Sequence, residues 1–372
     1  MNHERGPSVN FQLASTEHEQ GLRELLRNSP MPGWIRVAFG REPDFFQAVK
    51  VQGRFNQVLV ALEGDRVLGM GCRSIKPVLI DGARTDIGYL NGLRLLPEIR
   101  RSGVLARGYA ALKKLHEEKP ALAYLTTIIE SNREAEQLLT SGRAGLPHYL
   151  DQGRYVSFAI NLRQRRRKYS PGIKVQRGDE LGLEAVLSFL KEQGGRRQFF
   201  PALEEADFAN GQFPGLRLGD YRVAVNGQGE LLGVAAAWDQ SAFKQNIVAG
   251  YALPVRMLRP AINACLALAG FRPLPDPGQQ LGSLYLAFCC VREDDPAVFR
   301  ALLEQFYSEQ QGSGYHFLVL GLHELDPLRA VLSHFLAFRY VSRCFLVCWD
   351  DGLDFVNKLD REKVPYLELA AL

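Results

Sequence analysis

The residues best suited to chemistry lie in one segment, from Tyr89 to Ala106. An apolar stretch ends at Pro97, a cationic turn containing Arg100 and Arg101 follows, and a helical pattern begins near Gly103. The first turn of a helix has free backbone N–H groups and the positive end of the helix dipole, so it can bind an anion. A glycine at that point lets a phosphate approach the backbone closely. The segment therefore predicts an anion site at a strand–helix junction.

The strand that leads into this junction, Thr85 to Leu95, contains Gly88 and Gly92 among apolar residues. Glycine inside a strand is typical of a β-bulge or of a close backbone approach. A bulged strand separates from its neighbour and can offer unpaired backbone groups to a ligand.

The elements that position this segment repeat along the chain. Residues from Val9 to Leu162 and from Ile173 to Trp349 both show the order strand, helix, helix, hairpin, strand, helix, strand, helix, strand. This order predicts an α+β fold and a duplication. Residues Ser241 to Pro277 have no counterpart in the first half and are interpreted as an insertion. Residues Arg163 to Gly172, rich in cations, are interpreted as an exposed linker.

Composition limits the class of protein. The 372 residues carry a formal charge of only +4, which does not favour a nucleic-acid partner. The longest apolar stretches are about half the ~20 residues that a membrane span needs, so no membrane partner is expected. The 6 cysteines form no Cys-x-x-Cys pair and have no histidine at zinc-ligand spacing, so they are interpreted as buried thiols and no metal is expected. A cytoplasmic protein is predicted.

The order strand, Pro, Arg-x-x-Gly, helix, strand, Asn-x-x-Ala helix, Gly and Tyr resembles the GNAT superfamily of acyl-CoA-dependent N-acyltransferases. Its central motif, Arg/Gln-x-x-Gly-x-Gly/Ala, aligns with residues 100–105. Asn132-Arg133-Glu134-Ala135 resembles the next motif, and Gly153-Arg154-Tyr155 resembles the closing glycine–aromatic pair. The resemblance covers about residues 8–162.

The resemblance implies two GNAT-like domains, each a mixed central sheet flanked by helices. The first, residues 1–165, is expected to bind acyl-CoA. The second, residues 172–350, is a more divergent copy, and residues 351–372 are a C-terminal tail. The loop after the corresponding second-half strand, Arg292 to Pro296, has three carboxylates and no glycine, so it is expected to repel pyrophosphate. One CoA per chain is therefore predicted.

The resemblance also implies which residues bind the co-substrate, acetyl-CoA or another acyl-CoA. Backbone amides of the loop and helix start are expected to bind the pyrophosphate, Leu93 and Leu95 to offer backbone groups to the pantetheine arm, and Asn132 to contribute from the next motif. The loop and helix residues are Arg100, Arg101, Ser102, Gly103, Val104, Leu105 and Ala106. Leu105 departs from the motif, where the family has Gly or Ala.

Catalysis by this family needs a group that accepts the amine proton, an oxyanion donor and an acid for the thiolate. The family's acidic Tyr falls at Leu139, so Tyr149 and Tyr155 are the candidate acids, although both also fit a packing role. Glu130 is the candidate base. Its alternative role is to complement the charge of the helix that follows it.

The resemblance implies that Tyr89 and Asn91 face the substrate cleft, into which the strand carries polar groups. The alternative is that either is a strand residue whose hydrogen bonds are satisfied within the fold. The predicted function is transfer of an acyl group, acetyl being expected, from acyl-CoA to a small-molecule or peptide amine. The second half would shape the acceptor site or a homodimer surface. The alternatives are a non-catalytic CoA- or acyl-CoA-binding module, favoured by Leu105 and Leu139, and a purely structural pair of domains.

Overall fold

The computed structural model describes residues 9–100, 103–143, 145–162, 172–310 and 312–372. The predicted linker, Arg163 to Gly172, lies outside these residues except for Gly172. The strands are β1 Asn10–Leu13, β2 Ile35–Gly40, β3 Phe55–Glu63, β4 Arg66–Ile80, β5 Ala83–Leu95, β6 Tyr124–Ile129, β7 His148–Asn161, β8 Lys174–Arg177, β9 Phe200–Pro201, β10 Tyr221–Val225, β11 Leu231–Asp239, β12 Gln245–Tyr251, β13 Ser283–Val291, β14 Phe317–His323 and β15 Ala337–Cys348.

The α-helices are α1 Glu19–Arg27, α2 Phe45–Lys50, α3 Val104–Glu118, α4 Arg133–Leu139, α5 Leu183–Gly194, α6 Glu205–Ala209, α7 Leu253–Leu268, α8 Pro296–Glu309 and α9 Leu353–Lys358. They confirm most of the predicted helices to within a few residues. The sequence pattern also predicts a helix from Leu328 to Ala337, and this prediction is wrong. The segment is a run of 3₁₀ turns, Pro327–His334, followed by β15.

All the described strands except β2 and β12 form one large mixed sheet, in which the order of the second-half strands mirrors that of the first-half strands. From one edge to the other it runs β1-β3-β4-β5-β6-β15-β7-β14-β13-β11-β10-β8, and β9 pairs with β4 beside this path. The first-half strands on one side mirror the second-half strands on the other. This arrangement confirms the mixed α+β architecture and the repeated order that the sequence indicates.

The two halves exchange their last strands at the centre of the sheet. β7, from the first half, pairs antiparallel with β14 of the second half, and β15, from the second half, pairs antiparallel with β6 of the first. β7 and β15 also pair with each other along most of their length. The division into residues 1–165, 172–350 and 351–372 stays a prediction, but the halves share one continuous sheet.

A bulge in β5 opens the sheet in the first half. Met70 pairs with Arg94 and Cys72 pairs with Asn91, so Gly92 and Leu93 together face the single residue Gly71. Gly92 has a φ of 66°, a left-handed conformation that favours glycine. On its other side β5 pairs in parallel with β6 only at Gly88 and Tyr89. The predicted bulge is therefore confirmed, and β5 and β6 separate beyond it.

Gly88 shows the close approach that the sequence also suggests. A Cβ atom at Gly88 would lie 2.0 Å from a ring carbon of Tyr124, so only glycine fits beside that ring. Tyr124 is fully buried.

The second half has a matching bulge, but the chain itself fills it. β13 is bulged against β11 around Phe288, whose φ is 51°, and it pairs in parallel with β14 only from Ser283 to Tyr285. The buried Glu368 accepts hydrogen bonds from the Phe288 N–H at 2.6 Å and from the Tyr366 hydroxyl at 2.7 Å. The 3₁₀ turn Leu369–Ala371 contacts both β13 and β14. The segment predicted to be a tail is thus packed into the core.

A second, two-stranded sheet pairs β12 with β2, and α7 follows β12 directly. β2 was not predicted, because residues 30–40 contain two prolines and two glycines, which are typical of a loop. The segment interpreted as an insertion is therefore a structural partner of the first half.

Candidate active site

A cavity of about 660 Å³ lies where β5 and β6 separate. Its walls come from both halves of the chain. They include Leu90 to Leu95 of β5, residues 126–129 of β6, the start of α3, residues of β2 and β12, and the C-terminal residues Leu369 and Leu372. Its size is in the range of small-molecule and cofactor sites.

The N-terminus of α3 lies at one edge of this cavity, since Val104 and Leu105 are among the lining residues. Gly103 is the N-cap, with a φ of 68°. Apart from its chain neighbours, no atom of the described residues lies within 4 Å of the position that a Cβ atom would take there. The Arg100 side chain donates to the Leu95 carbonyl at 3.2 Å and so joins the loop to the end of β5. Arg101 and Ser102 lie outside the described residues. The exposed residue Ala106 continues the first turn of the helix.

Leu105 is compatible with a ligand at this helix N-terminus. Its side chain is half-buried and packs against the apolar cluster that contains Tyr109 and Leu139. Val104 is fully buried on another side of the helix. The bulk that departs from the family motif therefore lies against apolar neighbours, and Gly103 remains open.

The predicted β5 residues all line the cavity: Leu93 and Leu95, proposed for the pantetheine arm, and Tyr89 and Asn91, proposed for the substrate. Asn91 and Gln52 exchange two amide hydrogen bonds of 3.1 Å. Tyr89 is buried, and the Lys76 ammonium lies 4.8 Å from the centre of its ring.

Two tyrosine hydroxyls stand beside the leucine that replaces the family's acid. The hydroxyls of Tyr149 on β7 and Tyr109 on α3 are 2.5 Å apart, and both residues line the cavity together with the buried Leu139. Burial raises the pKa of Tyr149 well above its usual value, with a further increase from Tyr109. Burial likewise raises the pKa of Tyr109 to about 12. Both hydroxyls are therefore protonated near neutral pH.

Tyr155 and Glu130 lie in different surroundings. Tyr155 is buried, lines the cavity and donates its hydroxyl proton to the Leu367 carbonyl at 2.6 Å, which ties β7 to the C-terminal segment. Glu130 is not among the lining residues, and its carboxylate pairs with Arg154 at 2.9 Å. Asn132 lines the cavity and caps α4, accepting from the Ala135 N–H at 3.4 Å.

The charged side chains among the described cavity walls are all cations: Arg41, Arg94, Lys244 and Arg339. Lys244 is buried, and its ammonium donates to a main-chain oxygen of Leu372 at 2.6 Å. Burial, with smaller contributions from the Arg41 and Lys76 charges, lowers the pKa of Lys244 well below its usual value. Burial also lowers the pKa of Arg41 to about 10.

These cations and Tyr109 were not predicted from the sequence. Arg41 and Lys244 belong to β2, β12 and their flanks, whose pairing spans about 200 residues of chain and has no local signal. Tyr109 falls at helical spacing among the apolar residues of α3. Its hydroxyl, which is unusual among such residues, is the one sequence signal for it.

No protein-family model matches the chain, and no curated protein matches its sequence. Solved structures do match. The chain is similar to Saccharomyces cerevisiae N-myristoyltransferase with bound myristoyl-CoA, with a TM-score of 0.58 and 10% identity over 91% of this chain and 82% of that one. A second structure of the yeast enzyme with bound myristoyl-CoA has a TM-score of 0.59 at 10% identity, over 91% of this chain and 79% of that one.

The GCN5-related glucosamine N-acetyltransferase region of a fungal multi-domain GH3 β-N-acetylglucosaminidase is also similar. Its TM-score is 0.61 at 10% identity, over 93% of this chain and 39% of that one. At such identities the likeness concerns the fold. The chain shares its fold with N-myristoyltransferase and with a GCN5-related N-acetyltransferase region, which agrees with the GNAT-like fold that its motifs predicted.

Two further observations concern the described residues alone. None of their helices is both long and apolar enough to cross a membrane. Their His, Cys, Asp and Glu side chains form no group of three or more that could hold a metal ion.

Proposed function

We propose that this protein is an N-acyltransferase that uses acyl-CoA, with acetyl-CoA as the first donor to test, and transfers the acyl group to an amine. The observation that supports this most is the joint opening of the β5 bulge and the α3 N-terminus onto one cavity. The bulge leaves β5 backbone groups unpaired by β6, and the helix offers free N–H groups beside Gly103. The pantetheine arm of acyl-CoA would lie against the β5 backbone and its pyrophosphate would bind the helix N-terminus, so acyl-CoA needs these two features next to each other.

The described residues fit such a donor. The open space at Gly103 leaves room for a phosphate, and the all-cationic set of charged wall residues favours a polyanion. When bound, acyl-CoA would supply an activated thioester. The backbone N–H near Leu93 is the proposed donor to the oxyanion.

We propose Tyr149 as the acid that protonates the thiolate, with Tyr109 as its hydrogen-bond partner. The pair supplies hydroxyl groups beside Leu139, where the family has its tyrosine. Burial keeps both hydroxyls protonated, so an acid is available at neutral pH. The buried Tyr155 bonds to a main-chain carbonyl, which favours a structural role for it.

The environment of the cavity favours the neutral form of an amine that binds in it. The same burial and positive charge that lower the pKa of Lys244 would lower the pKa of an acceptor ammonium placed in this cavity. The acceptor would then attack as a neutral amine after losing its proton to water. Glu130 stays a candidate base, although it would have to act from outside the cavity wall.

The acceptor, the oligomeric state and the cell compartment are proposed as well. The proposed acceptor is a small-molecule or peptide amine, and the proposed assembly is a homodimer. All 6 cysteines are free thiols in the structure, which supports a reducing compartment such as the cytoplasm.

The test is release of free thiol from acetyl-CoA and from longer acyl-CoAs, measured with a panel of amines and with no amine. We expect release above the no-amine background for at least one amine. Leu139 favours the alternative, a non-catalytic acyl-CoA-binding module. Binding of acyl-CoA without thiol release for any amine would establish that alternative and contradict the enzyme.

A further inference from the structure

Helix α7 has an apolar face that points to solvent. Leu253, Met257, Ala261, Ala264 and Leu268 recur at intervals of three and four residues, so they share one side of the helix, and all five are exposed. The exposed fractions are 62% for Leu253, 72% for Met257 and 91% for Leu268. No residue of α7 is buried.

Two of the polar side chains of α7 form contacts on its inner side. Arg259 pairs with Asp276 at 2.5 Å, and the Asn263 side chain accepts from the Leu274 N–H at 2.8 Å. The third, Arg256, is exposed. Surface helices normally bury the apolar side and expose the polar one. Because α7 also exposes an apolar side, we expect something apolar to cover that side.

The exposed surface extends beyond the helix. Leu258 is 59% exposed, and Trp34, whose carbonyl accepts from the Ala252 N–H before α7, is 70% exposed. We call Trp34, Leu253, Met257, Leu258 and Leu268 the α7 patch. Trp34 also lines the cavity, so the patch adjoins an edge of the candidate active site.

The chain around the α7 patch is rich in cations and poor in carboxylates. Residues 25–41 and 240–275, which contain the patch, β2 and β12, include seven cations and no Asp or Glu. Arg27 and Arg259 pair with Glu42 and Asp276, which directly follow these segments, and Lys244 is buried. The positive neighbourhood of the patch therefore comes mainly from Arg36, Arg256 and Arg272. Any occupant must therefore offer an apolar layer and accept a positive neighbourhood.

We propose that the α7 patch docks this protein on the surface of a bilayer that contains anionic phospholipid. Such a surface combines apolar chains, in which the leucines and Trp34 can be buried, with negative headgroups that attract the arginines. No membrane partner was expected from the sequence, because no apolar stretch is long enough to span a bilayer. A helix that lies in the interface does not need that length. This inference does not depend on the proposed function.

The experiment uses the full chain with vesicles of phosphatidylcholine mixed with phosphatidylglycerol, and with vesicles of phosphatidylcholine alone. We expect co-sedimentation with the mixed vesicles and weaker binding to the neutral ones. Tryptophan fluorescence gives a second measurement, because Trp238 and Trp349 are buried and only Trp34 is exposed among the 3 tryptophans. Its emission should shift to shorter wavelength when the mixed vesicles are added.

Met257→Glu combined with Leu268→Glu should weaken binding to the mixed vesicles by about tenfold or more, since it removes apolar contacts and adds two negative charges. The matched control is Leu325→Glu with Leu336→Glu, at sites 65% and 59% exposed, which should retain binding. Equal loss in both double variants, or no binding by the unmodified chain, would overturn the proposal. A dimer in solution that only the α7 variant dissociates would instead assign the patch to a second copy of the chain.

Discussion

The hydroxyl pair of Tyr109 and Tyr149 brings together residues 40 positions apart in the chain, beside Leu139. The sequence could supply Tyr149 as a candidate because it follows the Asn132 motif. It could not supply the pairing, since the helix that presents Tyr109 shows only an apolar stripe. The chemistry at this site therefore depends on a contact between α3 and β7 that no local pattern encodes.

Tyr149→Phe should lower turnover by roughly 10²- to 10⁴-fold, the usual range for a positioned acid, while the affinity for CoA barely changes. The phenylalanine keeps the ring and removes only the hydroxyl group. The measurement is kcat from thiol release, together with the dissociation constant for CoA from calorimetry. Because burial raises the pKa of Tyr149 well above 10, the hydroxyl of Tyr149 should stay protonated at every pH below that pKa.

Tyr155→Phe is the matched control. Its hydroxyl bonds to the Leu367 carbonyl, so the substitution should reduce the free energy of unfolding by roughly 1–3 kcal/mol, through an unsatisfied buried carbonyl, and leave kcat near its original value. Full activity in Tyr149→Phe, or a large loss of kcat only in Tyr155→Phe, would contradict the assignment of the acid.

At the scale of elements, the strand–loop–helix junction was the part of the site most open to prediction. Glycines in β5 indicated the bulge, and Gly103 indicated the start of α3, because both positions need a left-handed backbone. The β2–β12 pair was not predictable in the same way. Each strand is short, and neither has a partner next to it in sequence.

Gly103→Glu should abolish stabilisation by CoA, because it places a carboxylate where the pyrophosphate is expected. For the unmodified chain, CoA at about 100 times its dissociation constant should raise the free energy of unfolding by roughly 2.7 kcal/mol. The measurement is the thermal shift with and without millimolar CoA. The absence of any shift in the unmodified chain would argue against CoA binding.

Gly229→Glu controls for backbone strain and added charge. Gly229 has a φ of 82° and no atom within 4 Å of its would-be Cβ, which resembles the setting of Gly103, but it lies in the β10–β11 turn of the second half. We expect this variant to keep the full CoA shift. If it loses the shift as well, the effect of Gly103→Glu cannot be assigned to the phosphate site.

At the scale of the whole molecule, the two halves have the same opened sheet but different contents. In the first half the bulge faces a cavity. In the second half the carboxylate of the buried Glu368 accepts a hydrogen bond from the Phe288 N–H. Asp294 of the acidic loop pairs with the largely buried Arg197 at 2.5 Å. The sequence predicted the acidic loop, but it gave no indication that residues 366–372 return to fill the second opening.

We therefore expect one CoA per chain. Isothermal calorimetry of CoA on the full chain should give a stoichiometry near one, and Gly103→Glu should abolish that single binding event. A stoichiometry near two would mean that the segment around Glu368 is displaced by ligand, and the proposed difference between the halves would then be wrong.

Because the two halves exchange their last strands, the centre of the sheet cannot be completed until β15 has been synthesised. β6 ends at Ile129, whereas β15, its permanent neighbour, begins only at Ala337. At ~5–20 residues per second the ribosome needs about 10–40 s for the roughly 200 residues between them. Throughout that interval β7 is the nearest strand able to cover the open edge of β6, and any such pairing must separate before β15 enters between them. The speed of translation through the second half should therefore influence how much of the nascent protein reaches its native sheet.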